Sequence, residues 1–363
     1  MSELSRLQIE TALKTVQEKY IEKDLMAAGA VKDIQIDGAR ATVVIELGYP
    51  AAGYFDELRA EVDRALQTVR GLEGAEVQIS SRVVSHAVQK SLKPMPGIKN
   101  IIAVASGKGG VGKSTTAVNL ALALAAEGGR VGVLDADIYG PSQPRMLGIS
   151  GQPESQDGKT MEPLQKYDLQ AMSIGFLIEE DTPMIWRGPM VTQALEQLLR
   201  DTNWHDLDYL VVDLPPGTGD VQLTLSQKIP VSGALIVTTP QDIALLDARK
   251  GLKMFEKVDV PVLGIVENMS IHICSKCGHE EHIFGHGGGE QMAKDFGVDL
   301  LGALPLDIQI REQADGGEPT VVREPQSRIA EIYREIARRT GAKLAEQSKD
   351  YSGKFPNIVI KNT

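Results

Sequence analysis

Hydrophobic positions follow two regimes along the chain, and the change falls near residue 94. In the first stretch Leu4, Leu7, Thr11 and Lys14 form one helical row, with Leu13 and Val16 adding an uneven apolar stripe. Two strand-like runs at 31–37 and 41–47 flank Asp37-Gly38, a common hairpin signal. Phe55, Leu58, Val62, Leu66 and Val69 then recur at helical spacing, and residues 75–84 return to strand character. The order is α-β-β-α-β. Lys93-Pro94-Met95-Pro96-Gly97 punctuates the chain as a linker, predicting domains 1–93 and 94–363.

Beyond the linker, wholly apolar runs at 101–105, 131–134, 210–212, 234–237 and 262–266 read as buried parallel strands. Amphipathic helices alternate with them. One carries Val191, Ala194, Leu195, Leu198 and Leu199 on a face; another carries Ile329, Ile332, Tyr333 and Ile336. This alternation predicts an α/β fold, a mostly parallel sheet flanked by helices, with a small α/β domain before it. Ligands in such a sheet bind at the carboxyl ends of the strands.

At one such end stands Gly107-Lys108-Gly109-Gly110-Val111-Gly112-Lys113-Ser114, which fits G-x-x-x-x-G-K-[ST] in full. A strand precedes it, and a helix-competent run from Thr115 follows. Glycines let backbone N–H groups converge on phosphates. Lys113 supplies charge to the β/γ oxygens, and Ser114 can ligate Mg²⁺. Asp135 and Asp137 follow one apolar run and Asp213 closes another, ahead of Pro215-Pro216-Gly217-Thr218-Gly219-Asp220. Carboxylates at those strand ends suit a Mg²⁺–nucleotide. A plain glycine-rich turn would not need all the fixed positions in that context.

Composition narrows the partners. Of 363 residues, 38 are basic and 49 acidic, a net charge of −11, so no broad basic face is available for nucleic acid. No apolar run approaches the ~20 residues of a spanning helix, and Met1-Ser2-Glu3-Leu4-Ser5-Arg6 leads into a charged stretch without a signal-peptide core. The expectation is a cytoplasmic protein with no membrane and no nucleic-acid partner. The two cysteines, Cys274 and Cys277, form one C-x-x-C, and without a secretion signal a disulfide framework is not expected.

Around that pair lie four of the six histidines, His272, His279, His282 and His286. Two thiolates can face one metal, but a Cys₄ cluster needs four, which two chains about a two-fold axis supply. Three other readings stay open at this point: a Cys₂His₂ zinc site, a redox pair with no thioredoxin-like helix after it, and two unliganded cysteines.

Lys108, directly after the first glycine, is not needed by an ordinary phosphate loop. Gly107-Lys108-Gly109-Gly110-Val111-Gly112-Lys113-Ser114-Thr115 resembles the deviant Walker A loop of the MinD/ParA/nitrogenase-iron-protein class. That resemblance implies a nucleotide-sandwich dimer in which Lys108 reaches the partner subunit's nucleotide. Nearly the whole chain resembles the Mrp/ApbC-type iron–sulfur cluster carrier ATPases. The resemblance extends through Asp135-Ala136-Asp137-Ile138-Tyr139-Gly140-Pro141-Ser142, Trp186-Arg187-Gly188-Pro189-Met190, the Asp213 segment, Thr239-Pro240-Gln241-Asp242, Glu267-Asn268-Met269-Ser270 and the cysteine pair.

It implies that Asp137 is the switch I carboxylate that orients the attacking water, and that Asp213 is the Walker B residue near Mg²⁺. It further implies that residues 217–220 form switch II and that Asn268 contacts adenine. The first domain resembles the MIP18 (DUF59) domain often fused to such carriers; it holds no cysteine here, so a thiol role for it is excluded.

The expectation is therefore an ATPase acting as a homodimer. ATP and Mg²⁺ occupy Gly107 to Thr115, Asp213 and Asn268, with Lys108, Lys113 and Asp137 catalytic. A [4Fe–4S] cluster bridges Cys274 and Cys277 of two subunits, received from upstream cluster-assembly machinery and passed to apo iron–sulfur proteins. The alternatives are a MinD/ParA-like positioning ATPase and a zinc-stabilised regulatory NTPase. The first would leave the C-x-x-C without a role, and the tail at 343–363 lacks an apolar stripe for a membrane.

Overall fold

The computed structural model describes residues 4–90, 92–178, 188–274 and 276–347. The first part of the chain runs α1 (Arg6–Leu13), a two-residue antiparallel pair β1 (Gln17–Glu18) and β2 (Lys23–Asp24), then β3 (Val31–Asp37) and β4 (Arg40–Leu47). It ends with α2 (Phe55–Leu66) and β5 (Gly74–Ser81). β4 is central, antiparallel to β3 and parallel to β5. The β3–β4 hairpin turns at Gly38, whose φ of 58° lies in the left-handed region that glycine reaches without a Cβ clash. Alternation decides the faces: Ala41, Val43, Ile45 and Leu47 of β4 are buried against Leu58, Val62 and Leu66 of α2.

The expected face of α1 is not the buried one. Ile9, Ala12 and Leu13 are buried, while Leu7 is exposed. The row Ile9, Ala12, Leu13, Val16 has i, i+3, i+4, i+7 spacing and carries more apolar surface than the row through Thr11 and Lys14, so it wins the core.

The second part runs β6 (Ile98–Ala105), α3 (Lys113–Ala126), β7 (Val131–Asp135), α4 (Gln143–Leu147), β8 (Leu164–Lys166), β9 (Leu169–Ser173) and α5 (Gly188–Asp201). It continues with β10 (Leu207–Asp213), α6 (Asp220–Lys228), β11 (Gly233–Thr238), α7 (Asp242–Lys257), β12 (Val262–Glu267) and the small hairpin β13 (His272–Ile273) and β14 (Glu280–Glu281). The last elements are α8 (Gly288–Phe296), β15 (Leu300–Ala303), α9 (Ile308–Asp315), α10 (Thr320–Arg323) and α11 (Arg328–Ala345).

Eight strands form one sheet in the order β15-β12-β11-β6-β10-β7-β9-β8, parallel except for β8. The five apolar runs read from the sequence are its centre; β8, β9 and β15 are additional. β8 and β15 are edge strands of three and four residues, too short for a periodic signal. α3 is apolar all round and lies buried between the sheet and α11.

Two cores result. α11 spans both: Ile336 belongs to the sheet's core and Ala342 to that of the first part. Its Arg338 reaches Glu127 at the end of α3 and Tyr20 of the first part. The segment after β5 lies on the second part, where Gln89 donates to the carbonyls of Ser226 and Ile229.

Candidate functional site

β6 sits between β11 and β10, and the chain leaves its carboxyl end through residues 106–112 into α3. Two glycines there are required by close approach. A Cβ on Gly107 would lie 2.2 Å from the Asp247 carbonyl carbon of α7. One on Gly112, where φ is +81°, would lie 2.1 Å from Asn268 Nδ2. Asn268 Nδ2 donates to Val111 O at 2.9 Å, so the end of β12 braces the loop. The glycine-rich loop and the N-terminus of α3 bound a cavity of ≈ 240 Å³ that Lys108, Ser114, Thr115, Asp137 and Ser142 also line. N–H groups converging at a helix N-terminus suit an anion.

The floor of the site is a tight polar cluster. Lys113, 5% exposed, pairs with the wholly buried Asp213 and lies 3.2 Å from Ser114 Oγ. Gln143 Nε2 donates to Asp213 Oδ2 at 2.9 Å and to Ser114 O at 3.2 Å. Asp135, at the end of β7, accepts from the backbone N–H of Asp137, Ser142 and Gln143 and from Ser173 Oγ. It thereby gathers the segment 136–142 into a loop over the cavity. Burial, then the neighbouring Asp213 charge, pushes the Asp135 carboxyl up to about 7. Burial also raises Asp137, against the pull of Lys113. On the other side Gly217 N donates to Ser106 O at 3.0 Å, tying the turn after β10 to the loop.

A hydroxyl and a carboxylate beside a phosphate loop are the hard oxygen donors that Mg²⁺ takes. Among the described residues no group of three or more His, Cys, Asp or Glu converges on one point. The Ser114 and Asp213 set therefore fits a cation that completes its shell with phosphate and water rather than an all-protein cage.

Cys274 and Cys277 lie on the turn of the β13–β14 hairpin, Cys277 exposed and Cys274 partly so. Gly278 N donates to Cys274 O at 2.8 Å and Cys274 N to His279 O at 2.9 Å, closing the turn. The backbone N–H groups of Lys276 and Cys277, then the Cys277 thiol, hold the Cys274 thiol below its ordinary value. N–H groups aimed at sulfur favour the thiolate that a soft metal needs. Among the described residues the cysteines and histidines form no group of three or more placed to hold one metal ion. His272 and His282 turn their Nδ1 atoms to the carbonyls of Leu306 and Ser270, and His279 lies beside Glu281.

The phosphate loop and the end of β12, 157 residues apart in sequence, meet at the Val111–Asn268 contact, and Cys274 follows Asn268 by six residues. Between them Ser270 is tied by both N and Oγ to Leu304 O. Sequence reasoning missed Gln143, which follows directly on the Asp135–Ser142 run; its only signal was a polar residue opening a helix beside two acidic strand ends. Trp186, Arg187, Ser275 and residues 348–363 lie outside the described residues.

Residues 97–340 match the family described as NUBPL iron-transfer P-loop NTPase of the ParA type, and residues 6–79 match the family described as iron-sulfur cluster assembly protein. An iron-sulfur cluster carrier protein of Pseudomonas fragi is 58% identical over 282 residues, covering 77% of this chain and 98% of its own. One of Escherichia coli (strain K12) is 54% identical over 317 residues, 86% of each chain. Among solved structures, a nucleotide-binding protein of Archaeoglobus fulgidus in complex with ADP superposes with a TM-score of 0.56 at 37% identity. It covers 64% of this chain and 90% of its own. No helix of the described residues is long and apolar enough to cross a membrane.

Proposed function

This chain belongs to the NUBPL-type iron-transfer P-loop NTPases, and from that membership we propose that it is a homodimeric, ATP-hydrolysing carrier of a [4Fe–4S] cluster. The observation that carries the reading is the Asn268–Val111 contact, which ties the strand leading to Cys274 directly to the phosphate loop. A loop that tightens on nucleotide pulls on that strand, so nucleotide state biases the cysteine hairpin. The carrier names of the Pseudomonas and Escherichia relatives favour this over a positioning ATPase or a zinc-stabilised NTPase.

In this reading Lys113 leaves Asp213 for the β/γ oxygens, and Gly107 to Thr115 cradle the phosphates. Ser114 and Asp213 hold Mg²⁺, which supplies charge neutralisation for phosphoryl transfer. Asp137 orients the attacking water, and Lys108 reaches the partner subunit's nucleotide. Asn268 is a brace for the loop as well as the candidate contact for the base. Cys274 and Cys277 give two thiolates per subunit, and two subunits complete the four that the cluster takes as cargo. Assembly machinery loads it, and apo iron–sulfur proteins receive it, in the cytoplasm. The division of labour follows 1–93 and 94–363; two cores support two units, with Val83 packing into the sheet's core and Ala342 into the first.

The test is anaerobic purification followed by visible spectroscopy and iron, sulfide and zinc analysis, then transfer to an apo-enzyme with and without ATP. Iron and sulfide with ATP-sensitive transfer support the carrier; zinc without colour sinks it.

A further inference from the structure

Gln143 opens α4, immediately after the segment that Asp135 gathers over the cavity. Its Nε2 spans two residues of the site, donating to Asp213 Oδ2 at 2.9 Å and to Ser114 O at 3.2 Å. The residue is 1% exposed, and its Oε1 is buried with no hydrogen-bond partner. Buried amide oxygens are nearly always paired, and an exception on a side chain that holds two residues of the site is accounted for by a donor that arrives with the ligand. Ser142 Oγ, the preceding side chain, is buried and unpartnered in the same way.

We propose that Gln143 is a positioning residue for the nucleotide's cation: Nε2 orients Asp213, and Oε1 accepts a hydrogen bond from a water of the Mg²⁺ shell. The inference rests on the phosphate-loop reading above. Its chemistry follows from the ion. Mg²⁺ parts with water reluctantly and keeps several molecules, so its site needs acceptors that stand one water away. Asp213 Oδ1 is engaged by Lys113, and Asp213 Oδ2 by Gln143, so the carboxylate is fixed at both oxygens. When Lys113 turns to phosphate, Gln143 is the remaining donor among these contacts. A primary amide can do both tasks because it carries a donor and an acceptor; a carboxylate lacks the donor, and a thioether has no donor and only a weak acceptor. The same side chain fastens the end of segment 136–142 to the metal site, so the arrangement would make that segment's position depend on the cation.

A merely structural role for Gln143 would change stability and leave the cation dependence alone. The experiment titrates a fluorescent ADP analogue into the full-length protein with Mg²⁺ and in EDTA, and reads the factor by which Mg²⁺ tightens binding. Gln143→Met should lower that factor about tenfold or more, the usual effect of losing an outer-shell partner, with affinity in EDTA unchanged. Gln143→Glu should lower it as well, because a carboxylate cannot donate to Asp213 and sets a second negative charge against it. This near-isosteric variant carries the test should the Met variant fail to fold. A factor equal to wild type in a folded Met or Glu variant overturns the proposal. Should the wild type bind no nucleotide, the phosphate-loop reading falls and this inference with it. If wild type binds nucleotide and the folded variants keep the wild-type Mg²⁺ factor, the inference alone is lost.

Discussion

Arg338 Nη2 donates to Glu127 Oε1 at 2.6 Å, which joins the last described helix to the far end of the helix that begins at the phosphate loop. The two side chains are 6% and 1% exposed. Glu127 also accepts from Gly53 N at 2.8 Å, and Arg338 donates to Tyr20 Oη at 3.2 Å. One buried ion pair therefore gathers α3, α11 and the first part of the chain. Removing one partner of such a pair strands the other charge, at a cost of about 3–5 kcal/mol. Arg338→Leu should lose about that much in urea unfolding, and a loss below about 1 kcal/mol would show the pair to be incidental.

A second buried acid in that region sets a pH dependence. Glu18 is wholly buried, and burial raises its carboxyl above the ordinary 4.5, against hydrogen bonds from Tyr49 and from the backbone of Ile21. The folded state thus holds this proton more tightly than the unfolded chain. Its contribution to stability is complete below pH 4.5 and is lost as pH rises through the folded-state value. Glu18→Gln keeps an acceptor for Tyr49 and cannot ionise. The variant should gain on wild type as pH climbs above 4.5; parallel stability curves would refute the assignment.

Lys113→Ala should abolish nucleotide binding, because Lys113 is the charged donor at the neck of the loop. Calorimetry against ATP with Mg²⁺ reads it directly. Retained wild-type affinity would remove the phosphate-loop assignment. The same variant leaves Asp213 with Gln143 as its partner, so a modest stability loss is expected alongside.

These residues also mark how far the sequence could be read. The loop at 107–114 was legible in full because its chemistry demands fixed residue types at fixed spacing within a strand–helix context. The five central strands were legible because burial on both faces makes them continuously apolar. β8 and β15 were not, being edge strands of three and four residues. On α1 the helical periodicity was visible, but the row through Leu4 and Leu7 reads as the core face that the more apolar row Ile9, Ala12, Leu13, Val16 in fact occupies. Gln143 and Arg338 were illegible for another reason. Each acts through partners 70 and 211 residues away, and no local pattern encodes such a contact. Asn268 stood out only by resemblance, and its contact with Val111 could not have been read from spacing.

Lys108 lines the cavity beside Gly109 and Gly110, and its carbonyl accepts from Ser106 Oγ. Lys108→Ala should spare nucleotide binding by a single subunit more than it spares hydrolysis, because the proposed contact is made across the dimer. Turnover per subunit, measured over a range of protein concentrations, tests this. If the variant hydrolyses ATP as fast as wild type at every concentration, the contact across subunits does not exist.

The cysteine turn gives the sharpest separation of readings. Cys274→Ala or Cys277→Ala removes one thiolate per subunit, hence two of four in a symmetric dimer. Two thiolates are too few for a stable cluster, and imidazole replaces soft thiolate poorly. Either variant should therefore lose iron, sulfide and transfer to an apo-enzyme. Nucleotide binding should persist, since the loop uses no sulfur and Asn268 still braces it through Val111. The histidines supply the control. The cluster takes its four ligands from thiolates, and among the described residues no histidine groups with the cysteines, so His279→Ala and His282→Ala should leave cluster content near wild type. If those changes strip the metal as thoroughly as a cysteine change, the site is Cys₂His₂ within one chain. If a cysteine variant assembles iron and sulfide at wild-type stoichiometry and still delivers them, no cluster bridges the two hairpins.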